Sequence, residues 1–268
     1  MTSWKLRAAG AVAALAVVVT AAAPAQADPR VGGDIGLRYE SLGGAGGLLG
    51  HPTTPEIRTP DGRGAYVQFE RGSIYWSPAT GSWEVHGDVR AAWGRHGWEN
   101  GPLGFPVSNE TRTDNGRGAY NVFQGGTVYW SPQTGARAVR GAIHARYGTL
   151  GWEEGRLGFP VTDEVRTPNG RGAYNVFQGG SIYWSPDSGA HPVVGEIRNA
   201  YGRAGWEGGC LGFPVTHEGA FPELELPPGA VVQLFQGGIV GFLPGEGVAT
   251  ELWPQDPELR ADGLYPRC

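Results

Sequence analysis

The stretch GRGAYNVFQGG at Gly116–Gly126 occurs again, letter for letter, at Gly170–Gly180, and a near copy, GRGAYVQFERG, lies at Gly62–Gly72. Successive copies are 54 residues apart, as from 116 to 170. A second motif keeps the same spacing and stands as LGHP at 49–52 and as LGFP at 103–106, 157–160 and 211–214. A fixed period of this kind predicts a repeat architecture, in which each copy is one supersecondary unit and neighbouring units share a core.

The first 27 residues have the pattern of a signal peptide. Lys5 and Arg7 supply its positive end, Ala8–Ala23 its apolar run, and Ala25-Gln26-Ala27 a small-residue cleavage site. We therefore expect a secreted mature chain, Asp28–Cys268, with no membrane span.

The net charge of the chain bears on its possible partners, and its cysteines bear on the environment in which it folds. Without Lys5 and Arg7 the chain keeps 19 basic and 26 acidic residues. An acidic chain argues against nucleic acid as a partner, because nucleic-acid binding needs a basic face that displaces counterions. The two cysteines, Cys210 and Cys268, suit an oxidising exterior, and we predict a disulfide between them.

The repeats divide the chain into four units followed by a tail. We place the units within 28–242, at about 31–76, 77–130, 131–184 and 185–242. The tail, 243–268, has no counterpart in the repeats, and the predicted disulfide would bring it onto the last unit.

Within a unit the hydrophobic period changes from helical to strand-like. Val139, Ile143 and Tyr147 fall at i, i+4 and i+8, with Gly148 as a candidate C-cap, which predicts one short helix. Two strands, Ala119–Gln124 and Thr127–Ser131, follow the LGFP and GRG loops and are joined at Gly125-Gly126. The sequence therefore predicts an α+β fold of helix-plus-hairpin units.

The hairpin register predicts which aromatic residues are exposed. With Gly125-Gly126 as the turn, Phe123 opposes Val128 and Asn121 opposes Trp130, on a face that we assign to the core. The corresponding tryptophans of the three hairpins, which we expect to be structural, are Trp76, Trp130 and Trp184.

The opposite, tyrosine-bearing face is the predicted ligand-binding surface. It carries three tyrosine pairs beside the arginines of the GRG loops: Tyr66 and Tyr75, Tyr120 and Tyr129, Tyr174 and Tyr183, with Arg63, Arg117 and Arg171. Rigid aromatic rings next to hydrogen-bonding groups suit sugar rings. In the alternative interpretation the tyrosines pack between units, and the arginines only pair with Glu56, Glu110 or Glu164.

No catalytic motif or paired-cysteine metal spacing is present, and we predict no catalytic residues, cofactor or metal. The six histidines do not recur between units at one alignment position, which is typical of isolated structural histidines.

In the fourth unit the outward face of the hairpin consists of Val232, Leu234 and Gly241, and a Pro-rich stretch replaces the GRGAY loop. If the tyrosine face binds a ligand, the chain then has three ligand-binding sites, and the fourth unit has none.

The LGFP tetrapeptides, the 54-residue period and the YWSP motif make the chain resemble the LGFP-repeat family. Members of that family look like actinobacterial cell-envelope proteins, whose tandem repeats attach an exported protein to the wall, often after an esterase or amidase domain. We expect no such domain within these 268 residues, which the repeats and the tail fill. The resemblance implies association with peptidoglycan or arabinogalactan.

We expect four units in a closed, pseudo-symmetric, propeller-like ring, with an open solenoid as the alternative. The leading functional hypothesis is a monomeric, non-catalytic protein that binds cell-wall polysaccharide at several sites. A wall hydrolase or esterase with an unrecognised site, and a protein-interaction scaffold, are the alternatives.

Overall fold

The computed structural model describes residues 31–219 and 226–252. The predicted signal peptide and Cys268 lie outside these residues. Within them the chain repeats one order of elements, which is a helix, a short 3-10 turn and an antiparallel sheet. We number these units 1 (33–86), 2 (87–140), 3 (141–194) and 4 (195–252).

The bounds of the elements recur with the sequence period. Unit 1 consists of α1 (Gly33–Ser41), β1 (Ile57–Arg58), β2 (Ala65–Phe69), β3 (Gly72–Ser77) and β4 (Gly81–His86). Unit 2 consists of α2 (Gly87–Arg95), β5 (Thr111–Arg112), β6 (Ala119–Phe123), β7 (Gly126–Ser131) and β8 (Gly135–Arg140). Unit 3 consists of α3 (Gly141–Thr149), β9 (Val165–Arg166), β10 (Ala173–Phe177), β11 (Gly180–Ser185) and β12 (Gly189–Val194). Unit 4 consists of α4 (Gly195–Arg203), β13 (Val231–Phe235), β14 (Gly238–Leu243) and β15 (Gly247–Leu252). The 3-10 turns are Gly44–Gly46, Trp98–Asn100, Trp152–Glu154 and Trp206–Gly208.

Each sheet is a meander in which strands adjacent in the chain are paired. The described residues form three four-stranded sheets and one three-stranded sheet, without strand pairing between sheets and without a closed sheet. No helix in 31–219 or 226–252 is long and apolar enough to cross a membrane. The last strand of each meander was not predicted, because Gly135–Arg140 contains few β-branched or aromatic residues.

The hairpin register differs from the predicted one by two residues. Phe123 pairs with Gly126, Asn121 with Val128, and Tyr120 with Tyr129, because the turn is Gln124-Gly125 rather than Gly125-Gly126. The predicted pairs of Phe123 with Val128 and Asn121 with Trp130 are therefore wrong. A shift of two residues keeps every side chain on its predicted face, since side chains alternate with period two.

The helices are nine residues long and depend on packing for their stability. In α3 the buried Ile143 and Tyr147 are one turn apart and face the core. Val139, predicted to open this helix, belongs to β8 instead. Gly148 lies inside the helix rather than capping it, and the left-handed residue that follows the helix is Gly151, with φ of 85°.

Each internal helix lies between the sheets of two units. Helix α2 contacts β4 of unit 1 and both β7 and β8 of unit 2. On α2, the Trp93 ring is 4.6 Å from the Tyr75 ring of unit 1 and 5.3 Å from the Phe123 ring of unit 2, centroid to centroid. The core is therefore a row of clusters that span successive units, which covers both faces of the inner sheets.

Candidate functional site

The GRG loop of units 1, 2 and 3 contacts the LGFP turn of the next unit. A Cβ built on Gly118 would lie 2.6 Å from the Phe159 ring and would overlap the carbonyl oxygen of Trp130. Only glycine therefore lets the loop approach this phenylalanine. Gly64 meets Phe105 and Gly172 meets Phe213 in the same way. The two motifs recur together because they are the two sides of one contact.

A buried amide side chain makes a second contact between units. Asn175 Nδ2 donates to the carbonyl oxygen of Thr162 in its own unit and to that of Ala138 in the preceding β8, at 3.0 and 3.1 Å. Asn121 and Gln233 make the same bridges in units 2 and 4. Unit 1 has Val67 at this position, fully buried, where the described residues contain no preceding unit. The recurring asparagine thus has a structural explanation.

The tyrosine face is divided between core and surface. Tyr75, Tyr129 and Tyr183 are each 4% exposed and pack against the helix of the next unit, which corrects their assignment to the surface. Their partners Tyr66, Tyr120 and Tyr174 are half-buried, with centroid distances of 4.9, 6.0 and 5.1 Å to those rings. The packing between units that sequence analysis left open thus accounts for one tyrosine of each pair. Ligand binding by the six tyrosines stays a prediction.

The tryptophans assigned to the core are half-buried rather than buried. The indole Nε1 of Trp130 donates to a carboxylate oxygen of Asp88 at 2.8 Å, near solvent. Trp76 makes the same bond to Asp34.

A different set of tryptophans, which sequence analysis did not single out, lies near the tyrosine pairs. Trp98, Trp152 and Trp206 open the 3-10 turns with φ of 56°, 53° and 56°. Bulky residues rarely adopt this left-handed conformation, and it costs of the order of 1 kcal/mol or more. Each indole lies over a helical glycine, so a Cβ on Gly148 would come within 2.5 Å of Trp152. Unit 1 has Gly44 in place of the tryptophan and Glu40 in place of the glycine.

These residues border a groove between each pair of consecutive units. We call the grooves first (units 1 and 2), central (units 2 and 3) and last (units 3 and 4). Each is bordered by the tyrosine pair of one unit and the tryptophan turn of the next, whose buried glutamate is Glu99, Glu153 or Glu207.

The central groove holds a cavity of about 400 Å³. Trp152, 36% exposed, and Tyr120 supply aromatic surface, and His144 lies on α3. The full lining comprises Asp114, Tyr120, Val122, Thr127, Tyr129, His144, Gly151, Trp152, Glu153 and Glu154. Its volume is in the range of small-molecule sites.

Burial shifts the pKa values of several groups in this cavity. Burial raises the pKa of Glu153, and the nearby carboxylates of Glu154 and Asp114 raise it further. Burial lowers the pKa of His144, so its imidazole is uncharged at neutral pH. Burial also raises the pKa of Tyr129. The cavity therefore combines aromatic rings with carboxylates and lacks a basic lining residue that is charged at neutral pH.

The predicted arginines have different roles in the three grooves. Arg63 Nη2 donates to the carbonyl oxygen of Glu99 at 2.8 Å, and its guanidinium lies 5.2 Å from the centroid of the Phe105 ring. Arg63 thus joins units 1 and 2. The positive charge of Arg117 lowers the pKa of Glu153 in the central groove, and Arg171 Nη2 lies 3.9 Å from Asp187 Oδ2.

The alternative partners suggested for these arginines are wrong in two units. The Glu164 carboxylate pairs with Arg140, at 2.5 Å, and the Glu110 carboxylate lies 3.7 Å from the His86 ring nitrogen. Both glutamates therefore contact the last strand of the preceding unit rather than a GRG arginine.

Two further predictions concern cysteine and metal. Cys210 has no free thiol. Cys268 lies outside the described residues, so the predicted pairing stays a prediction. In the part of the chain that the structure describes, no three His, Cys, Asp or Glu side chains are grouped to hold a metal ion.

Comparisons with known proteins identify the repeat. The family model described as LGFP repeat matches residues 49–101, 103–155 and 157–209. No curated protein sequence gives a significant match. Each matched segment begins at the LG(F/H)P turn and so joins the sheet of one unit to the helix and tryptophan turn of the next, which is the pair of elements that borders a groove.

Solved structures resemble the chain only weakly. Virginiamycin B lyase from Staphylococcus aureus is 8% identical, over 79% of this chain and 61% of that chain, with a TM-score of 0.15. The extracellular domain assigned to a hybrid two-component system from B. thetaiotaomicron is 14% identical, over 77% of this chain and 23% of that chain, with a TM-score of 0.17. The chain spans less than two thirds of either protein, and neither likeness bears on function. The three family matches together cover more than half of the sequence, and the chain belongs to the LGFP-repeat family, whose repeats are found in cell-wall-associated proteins.

Proposed function

We propose that the chain is a secreted, non-catalytic protein that binds cell-wall polysaccharide through the grooves between its units. The observation that supports this most directly is the threefold recurrence of a half-buried tyrosine near the left-handed tryptophan of the next unit. Tyr66 and Trp98 pack on one core cluster, Tyr174 and Trp206 on another, and Tyr120 and Trp152 line one cavity. Partly exposed aromatic rings next to carboxylates suit pyranose rings, which present C–H faces and hydroxyl groups.

A protein with several weak binding sites is suited to binding an insoluble polymer. A site of about millimolar affinity contributes only about 4 kcal/mol. Several such sites on one rigid frame raise the apparent affinity for a polymer by roughly 10²–10⁴ without new contacts. The groove borders are held by the contacts between units, so their spacing is fixed.

The test is co-sedimentation of the purified protein with insoluble cell wall, before and after chemical removal of the neutral polysaccharide. We expect pelleting that is lost on stripping. Protein that stays in solution with the intact wall would overturn the proposal and favour the scaffold hypothesis.

A variant series locates the binding surface. Changing Trp98, Trp152 and Trp206 together to glycine removes the exposed aromatic rings, and glycine is the residue that unit 1 has at this position, as Gly44. We expect pelleting to fall at least tenfold. Trp76→Ala is the control, because Trp76 lies on the strand face opposite to the tyrosines, where its indole donates to Asp34. Circular dichroism checks that both variants are folded.

The enzyme hypothesis keeps one supporting observation. Glu153, whose pKa is raised by burial, lies in one cavity with Asp114 and Glu154, and a pair of carboxyl groups of which one has a raised pKa is an arrangement used in glycoside hydrolysis. Release of soluble sugars into the supernatant of the same assay, lost in Glu153→Gln, would establish hydrolysis in place of simple binding.

The closed ring remains a proposal about architecture, with the open array as the alternative. The predicted bond between Cys210 and Cys268 would hold the tail on unit 4 and help to close the ring. Small-angle X-ray scattering distinguishes the two, because an open array of four units has a larger maximum dimension than a ring.

A further inference from the structure

We propose that the central groove binds an organic cation, a guanidinium or ammonium group that takes the place of an arginine side chain present in the other two grooves. Cation binding goes beyond the proposed polysaccharide binding and can be tested with a small molecule alone.

The first and last grooves each contain a guanidinium group of the protein itself. Arg90 Cζ lies 5.1 Å from the centroid of the Trp98 ring, and its Nε donates to Ser73 Oγ of the preceding unit at 2.9 Å. In the last groove Arg198 Cζ lies 5.3 Å from the Trp206 ring, and its Nε donates to Ser181 Oγ at 3.0 Å. Stacking of a cation on an indole face is favourable, because the face of the ring is electronegative.

The central groove has a histidine at the same position. His144 is 54 residues from both Arg90 and Arg198, and its ring centroid lies 4.8 Å from that of Trp152. Its Nε2 is 2.8 Å from Thr127 Oγ1, the position that Ser73 and Ser181 occupy in the other grooves. A histidine side chain is shorter than an arginine side chain and carries no charge here. The cavity of about 400 Å³ lies beside it.

The same groove has gained carboxylates. Asp114 stands where units 1 and 3 have Pro60 and Pro168, and Glu154 stands where units 2 and 4 have Asn100 and Gly208. With the shared buried glutamate, the central cavity contains three carboxylates. Relative to the last groove, the central groove has lost a cation and gained two carboxylates. The first groove has a carboxylate of its own, Asp61, where the central groove has Asn115, so relative to the first groove the net gain is one carboxylate.

The most buried of these carboxylates is poorly compensated. Glu153 is 6% exposed and lines the cavity, and in the described residues no other side chain donates a hydrogen bond to its carboxylate. Its equivalent Glu99 accepts a hydrogen bond from Asn100 Nδ2 at 3.0 Å. Burial raises the pKa of Glu153, while its own main-chain N–H and the positive charge of Arg117 lower it. A cation that enters the cavity would give this carboxylate a direct side-chain partner.

Aromatic faces combined with carboxylates form the type of site that binds organic cations, because both groups attract positive charge in a partly desolvated space. Trp152 and Tyr120 supply the faces, and Asp114, Glu153 and Glu154 supply the anions. An anionic ligand would be repelled by the same groups. The ligand class that fits is therefore an amine or a guanidine. In the setting of the proposed function, on which this last step rests, the amine or guanidine is carried by a wall polymer.

The experiment is isothermal titration calorimetry of the purified protein with N-acetyl-arginine amide and with its uncharged isostere, N-acetyl-citrulline amide. We expect one site per chain and at least tenfold tighter binding of the arginine derivative. Equal binding of the two compounds, or no binding of either, would overturn the proposal.

Two substitutions in α3 distinguish the effect of filling the cavity from the effect of adding a positive charge to the helix. His144→Arg gives unit 3 the residue that α2 and α4 already have, and we expect its guanidinium to fill the cavity and weaken binding at least tenfold. Ala142→Arg adds the same charge at an exposed position that does not line the cavity, and we expect binding within twofold of the unchanged protein. Undiminished binding by a folded His144→Arg would contradict the assignment.

A second variant covers the case in which His144→Arg does not fold. Asp114→Pro combined with Glu154→Asn gives the central groove the residues of the first groove, and we expect at least tenfold weaker binding of the arginine derivative. Retained affinity would place the cation elsewhere. The small molecule also separates the two proposals, because a protein that binds it and does not pellet with wall would contradict polysaccharide binding alone.

Discussion

The central groove and the two grooves that flank it are built on one frame but differ in content. All three have the glycine-to-phenylalanine contact, a tyrosine pair and the left-handed tryptophan. In the flanking grooves Arg90 and Arg198 lie over the tryptophan rings, whereas the central groove has His144, a cavity and the carboxylates of Asp114 and Glu154. Residues at the contacts between units are therefore held constant, while a few positions around each groove vary its chemistry.

Gly118→Val tests the shared frame and should have the largest effect. A Cβ at Gly118 would overlap the Trp130 carbonyl oxygen and press on the Phe159 ring, so we expect a loss of about 4 kcal/mol or more in the free energy of unfolding. Urea denaturation measures it. Gly116→Ala is the control, because a Cβ at Gly116 meets nothing within 4 Å and only its φ of 67° opposes the change, by about 1–2 kcal/mol. Equal losses in the two variants would contradict the proposed role of Gly118.

Gly148→Ala tests the contact between helix and tryptophan. Alanine at an exposed helix position normally stabilises by about 1 kcal/mol relative to glycine. Here its Cβ would come within 2.5 Å of the Trp152 indole, and we expect a net loss of about 1–3 kcal/mol in unfolding free energy. Glu40→Ala should show no such loss, since Gly44 has no side chain to be displaced. Thermal denaturation compares the two, and stabilisation by Gly148→Ala would show that the indole moves without cost.

Arg90→His makes the first groove resemble the central one at a single position. It removes a cation stacked on Trp98 and a hydrogen bond to Ser73, so we expect a loss of about 1 kcal/mol in unfolding free energy. We do not expect a second site for the arginine derivative, because Pro60 and Asn100 stand where the central groove has carboxylates. Calorimetric stoichiometry is the measurement, and a second site of equal affinity would show that the arginine alone distinguishes the grooves.

Glu153→Gln should have a small, pH-dependent effect. The folded-state pKa of Glu153 is raised by burial, so the folded state binds a proton more readily than the unfolded state does. Its contribution to stability is therefore greatest below the unfolded pKa of about 4.5 and is lost as pH rises through the raised value. The glutamine variant should gain stability at pH 7 relative to the parent and gain none at pH 4. Urea midpoints at both pH values measure this, and a gain confined to pH 4 would contradict the sign.

Much of the fold could be predicted from repetition alone. The helix-plus-hairpin unit, the two faces of each strand and the family follow from the 54-residue period and the alternation of side chains. The hairpin register could not be predicted as reliably, because Gln124-Gly125 and Gly125-Gly126 both look like two-residue turns. A two-residue error was harmless to the assignment of faces, since strand side chains alternate with period two.

The candidate site was predicted less well, for a physical reason. Tyr75, Tyr129 and Tyr183 resemble surface residues in an isolated hairpin and become core residues when the next helix covers them. Trp152 was missed because its left-handed backbone is a property of conformation, and the residue type does not indicate it. A comparison of units at fixed alignment positions could have found His144, since it replaces an arginine that units 2 and 4 share.

The sequence by itself determined the repeat, the family and the local elements, because these depend on period, residue type and spacing along the chain. Only the tertiary structure decided which tyrosines are buried, and it alone showed that Glu153 and Trp152 of one unit border a cavity with Asp114 and Tyr120 of another. The reason is that each groove lies between two units, and its residues become neighbours only when one unit packs on the next.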